Sequence, residues 1–354
     1  MTEFSALQEQ IIKTNKDKVV VHSCAGSGKT RCLIGRLQFL LDSGVTPSNI
    51  VAVTFTNAAA EEIMERLKHS EGIFVGTVHS LANYYLKSHG IDTSDIISDE
   101  AFDELFERVK KNPQCIPSVE YLLLDEGQDS TVQQIEFLLK MINPKNWMVF
   151  ADTRQSIFGF NDAVPEIILK LMMLKGTTVY DLNENYRNAP AILRFAKKLI
   201  NGSILGDYEL WDDSICMNNE QPGCVNEVEY LPSRVIEQIK ADPHYGKWFV
   251  LTRTNSQLDN VVTYLTRAGI PCDTFKRSQI TSEEFQEKMT NDTVKVLTVH
   301  SAKGLEADNV IVIGVSKWSK SAEERRVAYV AATRAREKLI WMRSAPKKRL
   351  QSWE

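Results

Sequence analysis

The sequence predicts an α/β fold of two domains, each a parallel β-sheet flanked by helices, and three observations carry that prediction. Short β-branched runs alternate with helix-compatible segments, the grammar of strands joined by helical crossovers. The alternation breaks and restarts near Asn183, so the same rhythm occurs twice. At 354 residues and 43% hydrophobic content, the chain exceeds what one core ordinarily organises and carries apolar material for two.

In the first half the strand candidates are KVVVH (18–22), IVAVTF (50–55), EYLLLD (120–125) and WMVFAD (147–152), each leading into a polar loop and then a helical pattern. TVYDL, closing at Leu182, marks the passage to the second half, whose strands are WFVLT (248–252), VKVLTV (294–299) and NVIVIG (309–314). Domains are expected at 1–182 and 183–354. A small helical insertion is expected at about 83–118, where AFDELFERVKK has amphipathic spacing. The stretch 201–232 carries Gly202, Gly206, Pro222 and Gly223 and reads as loops with a short hairpin, without chemistry of its own. The basic run Lys347 to Arg349 reads as a solvated end.

Net charge is −4 with 25% charged residues, which argues against a general polyanion-coating protein. A local basic groove remains compatible with that balance, because charges are screened beyond about 8 Å. The six cysteines show no CxxC spacing and no apolar leader opens the sequence, so a reducing, cytoplasmic setting is expected. No apolar run approaches the roughly 20 residues of a membrane span, and no membrane role is expected.

The strongest local signal is SCAGSGKT (23–30), placed after a strand and before the helical RCLIGRLQFLL. Gly26 and Gly28 permit a tight turn whose amides, from Ala25 and Ser27 to Arg31, face phosphates at a helix N-terminus. Lys29 can neutralise β and γ oxygens and the Thr30 hydroxyl can complete a Mg²⁺ shell. Ser23 stands where the strict pattern has its first glycine. Downstream, LLLDEGQD delivers Asp125 and Glu126 from a strand end. Asp125 suits Mg²⁺ and Glu126 suits the attacking water, the division of labour an NTP hydrolase needs. A DE pair alone is commonly a solvated loop; the phosphate loop upstream gives this one its meaning.

With these motifs in hand the chain resembles the UvrD/Rep/PcrA family of superfamily 1 helicases, from about Leu7 to Leu339, with the family's motifs in order. The resemblance implies two RecA-like P-loop domains with an ATP cleft between them, and it assigns further residues. Gln8 would read adenine. VTFTNAAAEEI (53–63) would place Phe55 and Thr56 near DNA, with Arg66 near the nucleotide base. GTVHSLA (76–82) would bring Thr77 and His79 to DNA. In ADTRQSIFGF (151–160), Gln155 would sense the γ-phosphate while Phe158 and Phe160 would stack on bases, phenylalanines where the family often has tyrosine and tryptophan. NENYRNAPAI (183–192) would stack Tyr186 on adenine and send Arg187 to the γ-phosphate. LTRTN (251–255) offers Arg253 and Asn255 to the DNA backbone, and TVHSAKGLEADNV (298–310) offers His300 to DNA, Lys303 and Gly304 to the cleft and Glu306 to the ribose. RRVAYVAATRAREKL (325–339) carries Arg334 as the arginine finger, on what reads as a helix leading into the last strand.

The resemblance implies an ATP- and Mg²⁺-dependent DNA helicase or translocase moving 3′ to 5′ on single-stranded DNA or a 3′-tailed duplex. The family's large members insert a helical subdomain in each domain. Here the interval from His79 to Asp125 has room for two or three helices, and that from Phe275 to Val294 for essentially none. Autonomous unwinding therefore does not follow from the motifs. The alternative is a DNA-stimulated ATPase subunit or switch that loads or activates a partner, such as a nuclease or another replication or repair protein. Protein stripping from single strands and an RNA motor use the same machinery; a nucleotide kinase would not need Gln155, Arg187 and Arg334 from separate elements.

Overall fold

In a half-buried strand, neighbouring side chains point to opposite faces, and here both faces are apolar. The computed structural model describes residues 3–68, 71–96, 103–159, 163–205, 208–211, 213–275, 280–315 and 321–344. They divide into two units, Met1–Glu184 and Asn185–Glu354.

The first unit is built on β1 (Lys18–Ser23), β2 (Ile50–Thr54), β3 (Phe74–Thr77), β4 (Tyr121–Leu124), β5 (Asn146–Ala151) and β6 (Thr178–Leu182). Their order is β3-β2-β4-β5-β1-β6 and every neighbouring pair is parallel. Parallel neighbours require crossovers, and helices supply them: α1 (Ala6–Ile12) precedes β1, while α2 (Lys29–Asp42), α3 (Asn57–Arg66), α4 (Val78–Ser88), α5 (Asp103–Lys111), α6 (Val132–Glu136) and α7 (Glu166–Met172) lie between successive strands. Strand alternation sorts the core into two. Val19, Val21, Ala52, Leu123, Met148 and Phe150 pack with Leu33 and Leu37 of α2. Val20, Val51, Val53, Leu122, Leu124 and Val149 pack on the opposite face with Leu81, Tyr85 and Val109 from α4 and α5. The anticipated helical insertion at 83–118 thus contains the end of α4 and all of α5 among the described residues.

The short strand β7 (Glu184–Asn185) straddles the boundary, and the second unit continues with β8 (Ile204–Leu205), β9 (Tyr208–Glu209) and β10 (Cys216–Met217), then β11 (Cys224–Glu229), β12 (Trp248–Thr252), β13 (Cys272–Asp273), β14 (Val294–Thr298), β15 (Ala307–Ile313) and β16 (Ala335–Arg343). Its main sheet, β11-β16-β15-β12-β14-β13, is again parallel throughout. Its helices are α8 (Pro190–Ile200), α9 (Pro232–Lys240), α10 (Asn255–Arg267), α11 (Ser282–Thr290) and α12 (Ala322–Ala332). Trp248, Val250, Ile311, Ile313 and Ile340 pack under α9 and α10. On the other face Trp341 meets Phe195 of α8 edge-on, with ring centroids 5.2 Å apart.

The loop-like stretch at 201–232 contains the expected hairpin, β8 against β9, but also β11, which joins the edge of the main sheet. The interval after Phe275 holds the nine-residue α11. No helix among the described residues is long and apolar enough to cross a membrane. Lys347 to Arg349 and Gly206 lie outside the described residues.

Candidate active site

Because the first sheet is parallel, the loops after β1, β2, β4 and β5 leave from one edge, where α/β folds bind ligands. The loop after β1 needs left-handed backbone at two points, Gly26 (φ 67°) and Gly28 (φ 82°), and Gly28 is the N-cap of α2. Ser23, the departure from the strict phosphate-loop pattern, points its hydroxyl into the sheet, donating to the Ala151 carbonyl at 3.0 Å. It ties β1 to β5 where a glycine would tie nothing. Gln8 is buried on α1 and donates through Nε2 to the Ser27 carbonyl at 3.1 Å, so α1 braces the loop. Burial pushes the Cys24 thiol up to about 12, which keeps it neutral inside the loop.

Lys29 and Thr30, the first residues of α2, face the two acids that β4 delivers. Lys29 Nζ stands 3.8 Å from Glu126, and Thr30 Oγ1 donates to Asp125 Oδ2 at 3.1 Å. Burial, and then the Glu126 charge beside it, holds the Asp125 carboxyl well above its ordinary range; Lys29 and the Thr30 hydrogen bond oppose both without cancelling them. A hydroxyl and a desolvated carboxylate in hydrogen-bond contact are a hard-oxygen donor pair that fits Mg²⁺. Glu126 sits at φ 51°, left-handed for a non-glycine residue, the kind of local strain that persists where surroundings dictate a geometry.

The residue behind Glu126 was not anticipated. Gln128 is fully buried, donates through Nε2 to the Glu126 carboxylate and accepts the Asp152 N–H on Oε1 at 2.9 Å. Asp152 in turn takes Arg154 Nε on one oxygen at 2.9 Å and Gln155 Nε2 on the other at 2.6 Å. Burial is the largest influence on Asp152 and disfavours its charge, yet Arg154, Lys29 and these hydrogen bonds together hold its carboxyl below the ordinary range. Glu126, half-buried, and Gln155, buried, are therefore joined by one continuous hydrogen-bond network. Only the position of Gln128 inside LLLDEGQD could have hinted at it.

On the same edge, Phe55 and Phe158 stack with centroids 5.0 Å apart. Thr56 caps α3 and Thr77 caps α4, each hydroxyl accepting a backbone N–H at 3.2 Å and keeping its own hydrogen to donate. His79 stacks on Phe106 of α5, centroids 5.2 Å apart, which joins it to the helical insertion. Arg66 is exposed and pairs with Glu62 at 3.0 Å, and no contact with the phosphate loop accompanies it among the described residues. Phe160 lies outside the described residues.

In the second unit, exposed Tyr186 lines a polar cavity of about 360 Å³ with Asn218, Gln221 and Arg336. Arg187 pairs with Glu306, which also lies 3.8 Å from Arg336. Arg334 is not on a helix, as the sequence suggested: α12 ends at Ala332 and β16 begins at Ala335, so Arg334 sits in the junction. It is fully buried, with Nε on the Val330 carbonyl at 3.0 Å and an Nη on the Leu305 carbonyl at 3.1 Å. Arg253, expected at the DNA backbone, is held by Glu324 of α12, Nε to both carboxylate oxygens at 2.9 and 3.1 Å. Asn255 is exposed at the first turn of α10; His300 is half-buried and Lys303 buried in the turns after β14.

Two family models match stretches of the chain. The model of the UvrD/REP helicase N-terminal domain matches residues 4–112 and 91–173, and that of the UvrD-like helicase C-terminal domain matches 273–345. A probable DNA helicase of Mycoplasma pneumoniae is 23% identical over 454 residues, covering 96% of this chain and 83% of the relative. That alignment is longer than the chain's own 354 residues, so the relative carries interior segments that this chain lacks. The ATP-dependent DNA helicase PcrA of Staphylococcus epidermidis is 25% identical over 75% of this chain, which spans 50% of that relative's length. The mitochondrial ATP-dependent DNA helicase HMI1 of Saccharomyces cerevisiae is 27% identical over 51% of this chain.

Proposed function

The chain belongs to the UvrD/REP helicase family, and from that membership we propose that it is an ATP-driven motor on single-stranded DNA, moving 3′ to 5′ and coupling hydrolysis to strand separation. The observation that carries the reading is the convergence of Lys29, Thr30, Asp125 and Glu126 at one strand edge, with Lys29–Glu126 at 3.8 Å and Thr30–Asp125 at 3.1 Å. Lys29 and the loop amides bind the triphosphate, and Glu126 takes the proton of the attacking water. Thr30 and Asp125 would hold Mg²⁺, which when bound supplies neutralising charge to the phosphate oxygens. Gln8 and Tyr186 serve the base, Arg66 lies near it, Arg31 closes the phosphate-facing loop and Glu306 serves the ribose. Gln155 senses the terminal phosphate; Arg187 and Arg334, both from the second unit, stabilise its transition-state charge. Phe55, Thr56, Thr77, His79, Phe158, Phe160, Arg253, Asn255 and His300 serve the DNA strand.

The second reading is a DNA-stimulated ATPase subunit that loads or activates a partner. What favours it is the shortness of the interior: the Mycoplasma alignment needs 454 positions against 354 residues here. The test is ATP turnover with and without single-stranded DNA, followed by unwinding of 3′- and 5′-tailed duplexes. DNA stimulation that is lost in Lys29→Ala and Glu126→Gln, with unwinding from the 3′ tail, is the expected result. Stimulation without unwinding selects the subunit reading, unwinding from the 5′ tail reverses the polarity, and absence of stimulation refutes the motor.

A further inference from the structure

Two fully buried asparagines, Asn185 and Asn188, flank Tyr186 and Arg187. Asn188 Nδ2 donates to two carbonyls, Thr333 at 3.0 Å and Ala335 at 2.6 Å, the residues on either side of Arg334. Asn188 Oδ1 accepts from Asn185 Nδ2 at 2.9 Å, and Asn185 Oδ1 accepts the Asn188 backbone N–H at 2.9 Å. The amide orientation is forced, since a flipped Asn188 would set oxygen against two carbonyl oxygens. The next residue continues the splice, Ala189 N–H donating to the Arg336 carbonyl at 2.8 Å.

Two further contacts close a ring. Asn219, from the stretch to which the sequence assigned no chemistry, donates through Nδ2 to the Arg187 carbonyl at 2.9 Å. Glu306 pairs with Arg187, while its neighbours exchange bonds with Arg334: an Arg334 Nη donates to the Leu305 carbonyl at 3.1 Å and Ala307 N–H donates to the Arg334 carbonyl at 3.0 Å. Arg187, Glu306, Arg334 and Asn188 are thereby fixed to one another within a single unit.

We propose that Asn188 is a positioning residue that sets Arg334 in register with Arg187, so that both arginines reach the triphosphate as one rigid piece, with Asn219 anchoring the Arg187 end. The inference rests on the helicase-family reading of the two arginines. A buried amide needs partners wherever it lies; what points beyond packing is that both hydrogens of Asn188 end on the carbonyls bracketing one arginine. Charge stabilisation by a finger depends on placement, and a shift of about 1 Å costs on the order of a hundredfold in rate.

The experiment uses the full chain, saturating single-stranded DNA, and ATP turnover beside binding of a non-hydrolysable ATP analogue. Asn188→Ala is expected to lower kcat by about 10- to 100-fold while analogue affinity changes by less than about threefold. The double variant Asn188→Ala/Arg334→Ala should turn over no more slowly than Arg334→Ala alone, because the clamp acts only through that arginine. A kcat within about twofold of wild type, or losses that multiply in the double variant, overturns the proposal. If Asn188→Ala does not fold, half-exposed Asn219→Ala decides: its loss should vanish in an Arg187→Ala background, and multiplication there overturns the clamp. Should Arg334→Ala and Arg187→Ala both leave wild-type turnover intact, the reading of the arginines fails first and the clamp with it.

Discussion

At the scale of single residues, the site gathers charge that the empty fold does not want. Asp125 is the clearest case, its carboxyl pushed up by burial and by the adjacent Glu126. A carboxyl whose pKa is higher in the folded than in the unfolded chain costs nothing in acid, where both states are protonated. The cost grows as pH rises between the two values and is complete above the folded one. At neutral pH the ionised Asp125 therefore destabilises the nucleotide-free protein. Asp125→Asn should raise the thermal midpoint of the nucleotide-free chain by a few degrees, an advantage that shrinks as pH is lowered. On the proposed function the same variant should lose turnover by about a hundredfold or more, since it removes the carboxylate that would hold Mg²⁺. Calorimetry across pH and turnover assays check the two halves separately; an equally stable or less stable variant at neutral pH contradicts the electrostatic account. Asp152 is the opposite case, a buried carboxylate kept charged by Arg154 and Lys29, and it needs no ligand to be comfortable.

At the scale of elements, what could be read from the sequence tracks burial. The apolar runs that became β1, β2, β4, β5, β12, β14 and β15 are buried along nearly their whole length, and an unbroken β-branched run is visible without a fold. β11 was not visible: it is an edge strand, Asn226, Glu227 and Glu229 are exposed, and its pairing partner β16 lies far along the chain. β3 was hidden by being four residues long inside a motif read for its chemistry. In the site, the phosphate loop and acids were legible because their spacing is the chemistry. Gln128 and Asn188 were not, because a buried amide is recognised only by where its partners come from.

One glycine shows how closely those elements meet. At Gly223 (φ 62°), just before β11, an added Cβ would stand 2.3 Å from the Ala189 Cβ and 2.8 Å from the Glu337 carbonyl. Gly44 (φ 84°) has the same backbone requirement with nothing within 4 Å. Gly44→Ala should cost about 1–2 kcal/mol from backbone strain alone. Gly223→Ala should cost that plus about 1–3 kcal/mol of overpacking, visible as a lower urea midpoint. It should also slow ATP turnover, because it displaces the chain beside Arg187. Equal destabilisation by the two substitutions would mean that the approach of the chain before β11 to Ala189 is not tight.

At the scale of the whole molecule, the division of labour between units makes the motor reading testable by cutting the chain. The first unit has a complete parallel sheet with a core on each face, and it contains Gln8, Lys29, Thr30, Asp125, Glu126 and Gln155. The second contains Tyr186, Arg187, Glu306 and Arg334. A fragment of residues 1–184 should fold cooperatively, as seen by circular dichroism, and should bind ATP with Mg²⁺ through the phosphate loop. Its affinity should be weaker than that of the full chain for want of Tyr186, and Lys29→Ala should abolish the binding. Its turnover should fall by about 10³-fold or more, the usual worth of an arginine supplied to the transition state. On the proposed motor reading, adding single-stranded DNA should not restore it, because that reading routes stimulation through the two arginines. Near-normal turnover by this fragment would place the whole of catalysis on the first sheet and leave Arg187, Arg334 and their asparagine clamp without a role in hydrolysis.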